Sequence, residues 1–308
     1  RFLQFVTVLG ATIALLEVAL RGIGLTNLVL YADDPKTGYR IKPGQTARYL
    51  DNRIQINAWG VRDTRTFEQK RADVLRVLVL GDSVTWGGLR EPQESLFTSI
   101  LEEKLPGSEV INAGVNGFSV AQMVALYQAH LSGLEPDIIL VVAIPRDFTR
   151  PPKARLARES ISFPRKRPRF AIPATLEIGR FIAQTRWGWD WLALPPATEP
   201  VGPVFEKEEC VRRNLDALVD FTRRMNDPRQ VLVVMAPHLK SVINEELPAA
   251  ALETLHAQGV RTVNLNERIH VEPELFVDGV HLSSNGHVKL AEELARLLRA
   301  KADFGLAE

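Results

Sequence analysis

A single cysteine, Cys210, in 308 residues leaves no partner for an intrachain disulfide, and the CxxC pairs or Cys/His spacings of a structural zinc site do not occur. The redox compartment stays open on this evidence. Cys210 sits in "EKEECVRRNLDALVDF", an amphipathic helical pattern, and reads as a packing residue rather than a catalytic thiol. An excess of charge of either sign is also missing: 38 Lys and Arg offset 37 Asp and Glu, for a formal charge of +1. That balance gives no global argument for a nucleic-acid partner. No internal repeat is found. Apolar residues are plentiful, however, and a chain of this length can bury a sizeable core as one large domain or two small ones.

The longest apolar run is "FLQFVTVLGATIALLEVAL", Phe2 to Leu20, which as a helix would span about 28 Å, close to the hydrocarbon thickness of a bilayer. Glu17 interrupts it, but one turn from Arg21 and near the end of the run its carboxylate reaches the interface. No A-x-A-like cleavage site precedes "YADDPKTGYR", so residues 1–24 read as a retained transmembrane anchor rather than a cleaved signal peptide. A buried core helix is the competing reading. Arg1 and Arg21 flank the run and set its orientation only weakly.

Residues 25–73 are turn-rich and mixed in charge, an irregular connector with short strands that leans on the main domain. From residue 74 to 303, β-branched apolar runs alternate with amphipathic helical patterns, the order of a parallel sheet covered on both faces. The expected strands are Val74–Gly81, Ser108–Gly114, Asp137–Ile144, Gln230–Pro237 and Val260–Leu265. Expected helices include "QESLFTSILEEKL", "VAQMVALYQAHL", "CVRRNLDALVDFTRRM", "PAAALETLHAQG" and "NGHVKLAEELARLLRAKA". An insertion at 150–206 opens with "RPPKARLARESISFPRKRPRF", in which eight Arg or Lys accompany one acid, Glu159. A solvated loop and an attraction to anionic lipid headgroups or an acidic polymer stand about level for this stretch.

Ligands of such a sheet bind at the carboxyl ends of its strands. The first strand ends at Gly81-Asp82-Ser83, a strand-to-helix turn that either caps the next helix or presents a nucleophile. The second ends in "NAGVNG", where Gly114 lets backbone approach a ligand closely or simply makes a turn. Before the last helix, "DGVHLSSNGH" places Asp278 and His281 three apart, so the carboxylate can accept from one imidazole nitrogen while the other takes a proton.

With those blocks in view, "GDSVTWG", "NAGVNG" and "DGVHLSSNGH" resemble blocks I, II and V of the SGNH, or GDSL, hydrolase family, in the family's order and over Leu80 to His287. "TGYRIKPG" and "INAWGVRD" resemble the lead-in of membrane-anchored bacterial members. The resemblance implies an α/β fold of flavodoxin-like type, a three-layer α/β/α sandwich with a five-stranded parallel sheet. It implies Ser83 as nucleophile, His281 as general base and Asp278 as its orienting carboxylate. It also implies oxyanion donors at the N–H groups of Ser83 and Gly114, with no metal or organic cofactor. One block departs from the pattern: the family's G-x-N-D falls on Ile144-Pro145-Arg146-Asp147, so Arg146 stands where an oxyanion asparagine is usual. Arg146 itself, or Asn116, is the candidate substitute donor.

The function so implied is a membrane-anchored serine esterase or deacylase, its domain periplasmic or extracellular, acting on an acylated carbohydrate or lipid. Two alternatives stand beside it: an O-acyltransferase to an envelope polysaccharide, and a catalytically weak binding or assembly protein. Among other residues, His287 reads as capping or packing, and His130, His238, His256 and His270 have no partner at a revealing spacing. Trp86 lines an acyl pocket or supports the nucleophile turn. Trp187, Trp189 and Trp191 form a lid or a small core of the insertion, the latter being the default.

Overall fold

The computed structural model describes residues 1–67, 69–187, 189, 195–239 and 246–299. Helix α1 (Phe2–Gly22) is 21 residues long, about 32 Å at the α-helical rise. None of its residues is buried, which removes the core-helix reading. By length and composition it can cross a bilayer.

Two antiparallel hairpins follow, β1 (Tyr31–Asp34) with β2 (Gly38–Ile41), and β3 (Gln45–Tyr49) with β4 (Asn52–Ile56). They are more regular than the sequence suggests. Tyr39, Ile41, Ala47 and Ile54 are buried in the same core as one face of the main sheet, and Tyr39 meets Phe118 edge-on with ring centres 5.2 Å apart.

The main sheet is built from β5 (Leu75–Gly81), β6 (Ser108–Gly114), β7 (Ile138–Ala143), β10 (Val231–Met235) and β11 (Arg261–Asn264), all parallel, in the order β11-β10-β7-β5-β6. These bounds lie within two residues of the expected ones, the usual fraying of element ends. The elements between are α2 (Ser83–Trp86), α3 (Phe97–Lys104), α4 (Val120–Leu126), α5 (Pro145–Thr149), β8 (Ala154–Leu156), α6 (Ala171–Trp187), β9 (Thr198–Pro200), α7 (Lys207–Arg224) and α8 (Glu246–Ala257), and α9 (Ser284–Arg299) follows the last strand. The helix expected from Gln93 is a 3-10 turn at Gln93–Ser95 followed by α3. The end expected for the last helix, and residues 300–303 of the expected domain, lie outside the described residues.

Side-chain alternation along the strands produces the layers. Val77 and Val79 of β5 join α3 and α9 in one core, whereas Leu78 and Leu80 join α4, α7 and α8 in the other. The result is a three-layer α/β/α sandwich. Strand β5 has β6 on one side and β7 on the other, so the chain reverses its winding there and opens a crevice at the carboxyl end of β5.

The insertion contributes the β8–β9 hairpin and α6. Glu17 of α1 ties α6 down: its carboxylate accepts from the N–H of Ala171 at 2.7 Å and of Ile172 at 3.0 Å, satisfying donors that a helix start leaves free. Arg21 Nε donates to the same carboxylate at 2.7 Å. Trp189 is exposed, while Trp191 and the Trp187 side chain lie outside what is described.

Candidate active site

Strand β5 is buried to its last residue, and the chain turns directly from it into α2. Asp82 caps that helix, its Oδ1 accepting from the Val84 N–H at 2.9 Å. Ser83 is therefore the first helical residue, with its N–H free of an intrahelical acceptor. Trp86 is buried under the turn, and the guanidinium of Arg62 lies 4.9 Å from its ring centre. Arg62 also donates to the carbonyl oxygens of Trp86, Gly88 and Glu91 at 2.8, 2.6 and 2.7 Å. Burial pushes its pKa down to about 10, so it remains charged at neutral pH while it pins the loop after the Ser83 turn.

Asp278 and His281 lie on a tight turn closed by the antiparallel contact of Phe276 with Leu282, just before the start of α9. Asp278 Oδ1 accepts from the His281 N–H at 2.8 Å and the Val280 N–H at 3.2 Å, and Oδ2 lies 2.7 Å from His281 Nδ1. His281 Nε2 lies 2.8 Å from Ser83 Oγ. Burial disfavours the Asp278 charge, but the bond and charge of His281 and the backbone donors outweigh it and hold the carboxyl at about 2. Burial likewise disfavours an imidazolium, yet the Asp278 partner wins and raises His281 above the ordinary histidine value. Ser83, 198 positions before His281, thus joins the neighbouring Asp278–His281 pair in one unbroken hydrogen-bonded chain.

Behind Ser83 lies a second polar group. Asp82 and Asp147 are fully buried, and Arg150 Nη1 reaches Asp82 Oδ2 at 3.2 Å, the Phe118 carbonyl at 2.9 Å, and Asp147 Oδ1. Burial and the Asp82 charge push the Asp147 carboxyl well above the ordinary range, while its Oδ2 accepts from the Ile144 N–H at 2.9 Å. Asp82 supplies the charge that balances Arg150.

Two sequence expectations change here. Gly114 does not open onto the crevice: its N–H donates to Asn112 Oδ1 at 3.0 Å, and a Cβ there would meet the Trp86 nitrogen at 2.2 Å. Its smallness serves the close packing of β6 on α2. Asn116 and Gly117, just beyond, do line the crevice. Arg146 is exposed on α5, outside the crevice walls; the guanidinium that reaches the site is that of Arg150. Asp147 points inward from α5, and Arg150, the extended residue that caps this helix, turns back to meet it.

His287 packs rather than reacts. Its Nδ1 accepts from the Phe97 N–H at 3.2 Å, its ring stacks on Phe97, and burial pushes its pKa down to about 4. His130 does have a partner, Asp34 Oδ2 at 2.8 Å, which its sequence surroundings did not disclose. Cys210 is buried in α7. Among the described residues no group of three or more His, Cys, Asp or Glu is placed to hold a metal ion.

The crevice continues into a cavity of about 1180 Å³. Ser83, Asn116, Gly117, Arg150, Asp278 and His281 give it its polar side, and Leu28, Tyr31, Tyr49, Ile161 and Ile178 are among its apolar walls.

The sequence model of the GDSL-like Lipase/Acylhydrolase family matches residues 79–289. Among solved structures, a lipase/acylhydrolase from Enterococcus faecalis is similar at 15% identity and TM-score 0.46, covering 73% of this chain and 96% of that one. A GDSL-like lipase from Bacteroides thetaiotaomicron is similar at 12% identity and TM-score 0.44, with 76% and 92% covered. A member of the lipolytic G-D-S-L family from Veillonella parvula is similar at 12% identity and TM-score 0.41, with 73% and 98% covered. Comparison with curated proteins gives no match.

Proposed function

We propose that this chain, which belongs to the GDSL-like lipase/acylhydrolase family and is thereby a serine hydrolase acting on esters, cleaves an acyl ester with Ser83 as nucleophile, His281 as general base and Asp278 as orienting carboxylate. The observation that carries this reading is the continuous contact from Ser83 Oγ to His281 Nε2 at 2.8 Å and from His281 Nδ1 to Asp278 Oδ2 at 2.7 Å. Ser83 attacks the carbonyl carbon as His281 takes its proton, and Asp278 stabilises the imidazolium. The N–H groups of Ser83 and Gly117 and the amide of Asn116 are the donors for the developing oxyanion, replacing the set that includes Gly114 and Arg146. His281 returns the proton to the leaving alkoxide as the acyl–oxygen bond breaks. Water, activated by the same imidazole, then releases the acid from Ser83.

The substrate is an acylated lipid or carbohydrate, and α1 anchors the domain to a membrane on its periplasmic or extracellular side. Incubation with a fluorophosphonate probe tests the assignment: covalent labelling of the wild-type chain, absent in Ser83→Ala, is expected. Equal labelling of both proteins would end it.

A further inference from the structure

The walls of the cavity lead away from the catalytic residues toward α1. Leu28, Tyr49, Leu89, Ile161 and Ile178 all line it, and the same five residues form an apolar cluster completed by Leu25 and by Leu20 of α1. Ile182 of α6 extends the wall, and α6 is fixed to α1 through Glu17. Of the charged wall residues, Arg150 and Glu91 belong to the catalytic end, since Arg150 bonds Asp82 and Glu91 accepts from Ser284 Oγ at 3.2 Å; Arg90 adjoins Glu91, and Glu199 is paired with Arg155 at 2.6 Å. The basic stretch holding Arg165, Lys166, Arg167 and Arg169 lies at the same end of α1: Arg21 donates to the Arg169 carbonyl, and Arg167 to the Thr46 carbonyl at 2.8 Å. An apolar passage thus runs from the foot of a helix able to cross a bilayer to the Ser83 hydroxyl, with cations at the level where lipid headgroups would lie.

From this we infer that the cavity is an acyl-chain site, and that the ester cleaved carries a long aliphatic acyl group drawn from the membrane at the foot of α1. The inference rests on Ser83 being the nucleophile. An acetyl group at Ser83 would leave the apolar part of the cavity toward α1 to water, which there lacks the two to four polar partners it needs. The cavity, catalytic crevice included, stands at the upper end of the roughly 300–1,000 Å³ of small-molecule sites and has room for many methylenes. Each methylene so buried favours binding about fourfold. The products are a free fatty acid and the alcohol that carried it.

Two measurements on the full chain in phosphatidylglycerol vesicles test this. In the first, Ser83→Ala is irradiated with a diazirine fatty acid and the adducts are mapped. Adducts on the peptides bearing Leu28, Ile161 or Ile178 are expected, and adducts confined to α1 would overturn the inference. In the second, kcat/KM is compared for p-nitrophenyl acetate and decanoate. A preference for decanoate is expected, with the decanoate-to-acetate ratio falling at least about tenfold in both Ile178→Trp and Ile161→Trp, which fill the passage from different walls. A preference for acetate, or a ratio untouched by either substitution, would overturn it. Cavity adducts in a chain that hydrolyses neither ester would support the acyl-chain site and sink the role given to Ser83, so the two failures are distinguishable.

Discussion

Arg62 grips Trp86 twice, stacking its guanidinium 4.9 Å from the ring centre and donating to the same residue's carbonyl oxygen at 2.8 Å. A residue from the segment before the sheet thereby fixes the shape of the turn that presents Ser83. Lysine has one point of charge in place of a planar fork and cannot serve three carbonyls with one fixed geometry. Arg62→Lys is expected to lower kcat/KM by about tenfold to a hundredfold through misplacement of the Ser83 turn. It is also expected to lower stability by about 1–3 kcal/mol through unmet buried acceptors. Ester hydrolysis and urea unfolding measure the two effects.

In the proposed reaction Asp278 sets the pH dependence. There His281 has to be neutral to accept the Ser83 proton, so its raised pKa is expected to place the acid limb of kcat/KM above the ordinary histidine value of 6.5. In Asp278→Asn the stabilising charge is gone while the desolvation stays, so the limb should move to lower pH. The plateau should fall by about 10² to 10⁴. A pH–rate profile of each protein checks both. An unmoved limb would show that His281 is not the titrating base.

Asp82 and Asp147 should respond differently to the same change. Asp147 is pushed toward its neutral form, so Asp147→Asn keeps an acceptor for the Ile144 N–H and is expected to cost less than about 1 kcal/mol. Asp82→Asn leaves Arg150 without its charged partner in a buried site, an expected loss of about 3–5 kcal/mol. Chemical denaturation of the pair of variants measures the contrast.

His287 makes the fold sensitive to acid. Its folded pKa of about 4 lies below the unfolded value of 6.5, so between these limits the unfolded chain binds more protons and stability falls as pH falls. Asp278, held at about 2 against an ordinary 3.8, contributes a constant stability through that window and loses it only as pH falls from about 4 to 2. His287→Phe is expected to flatten the slope of Tm against pH between 6.5 and 4. An unchanged slope would place the proton elsewhere.

Much of the architecture was legible because its determinants are local. The runs around Val77–Leu80 and Ile138–Ala143 are apolar at every position, as a strand covered on both faces requires, and the turns bearing Ser83 and His281 are marked by short motifs. The parts not legible depend on side chains meeting across the fold. That Asn112 takes the Gly114 N–H is invisible in "NAGVNG", where two glycines offer themselves equally. The inward turn of Asp147, with Arg146 left outside, is decided by helix phase in a five-residue element too short to show a period, and that of Arg150 by the extended cap that follows it. The pairing of His130 with Asp34 spans 96 positions of chain.

Glu17, by capping α6 from within α1, leaves no slack leash between helix and catalytic domain. With α1 as the proposed membrane anchor, a domain mounted so stiffly would work as a plough set at one depth, its search for substrate confined to the two dimensions of the lipid sheet.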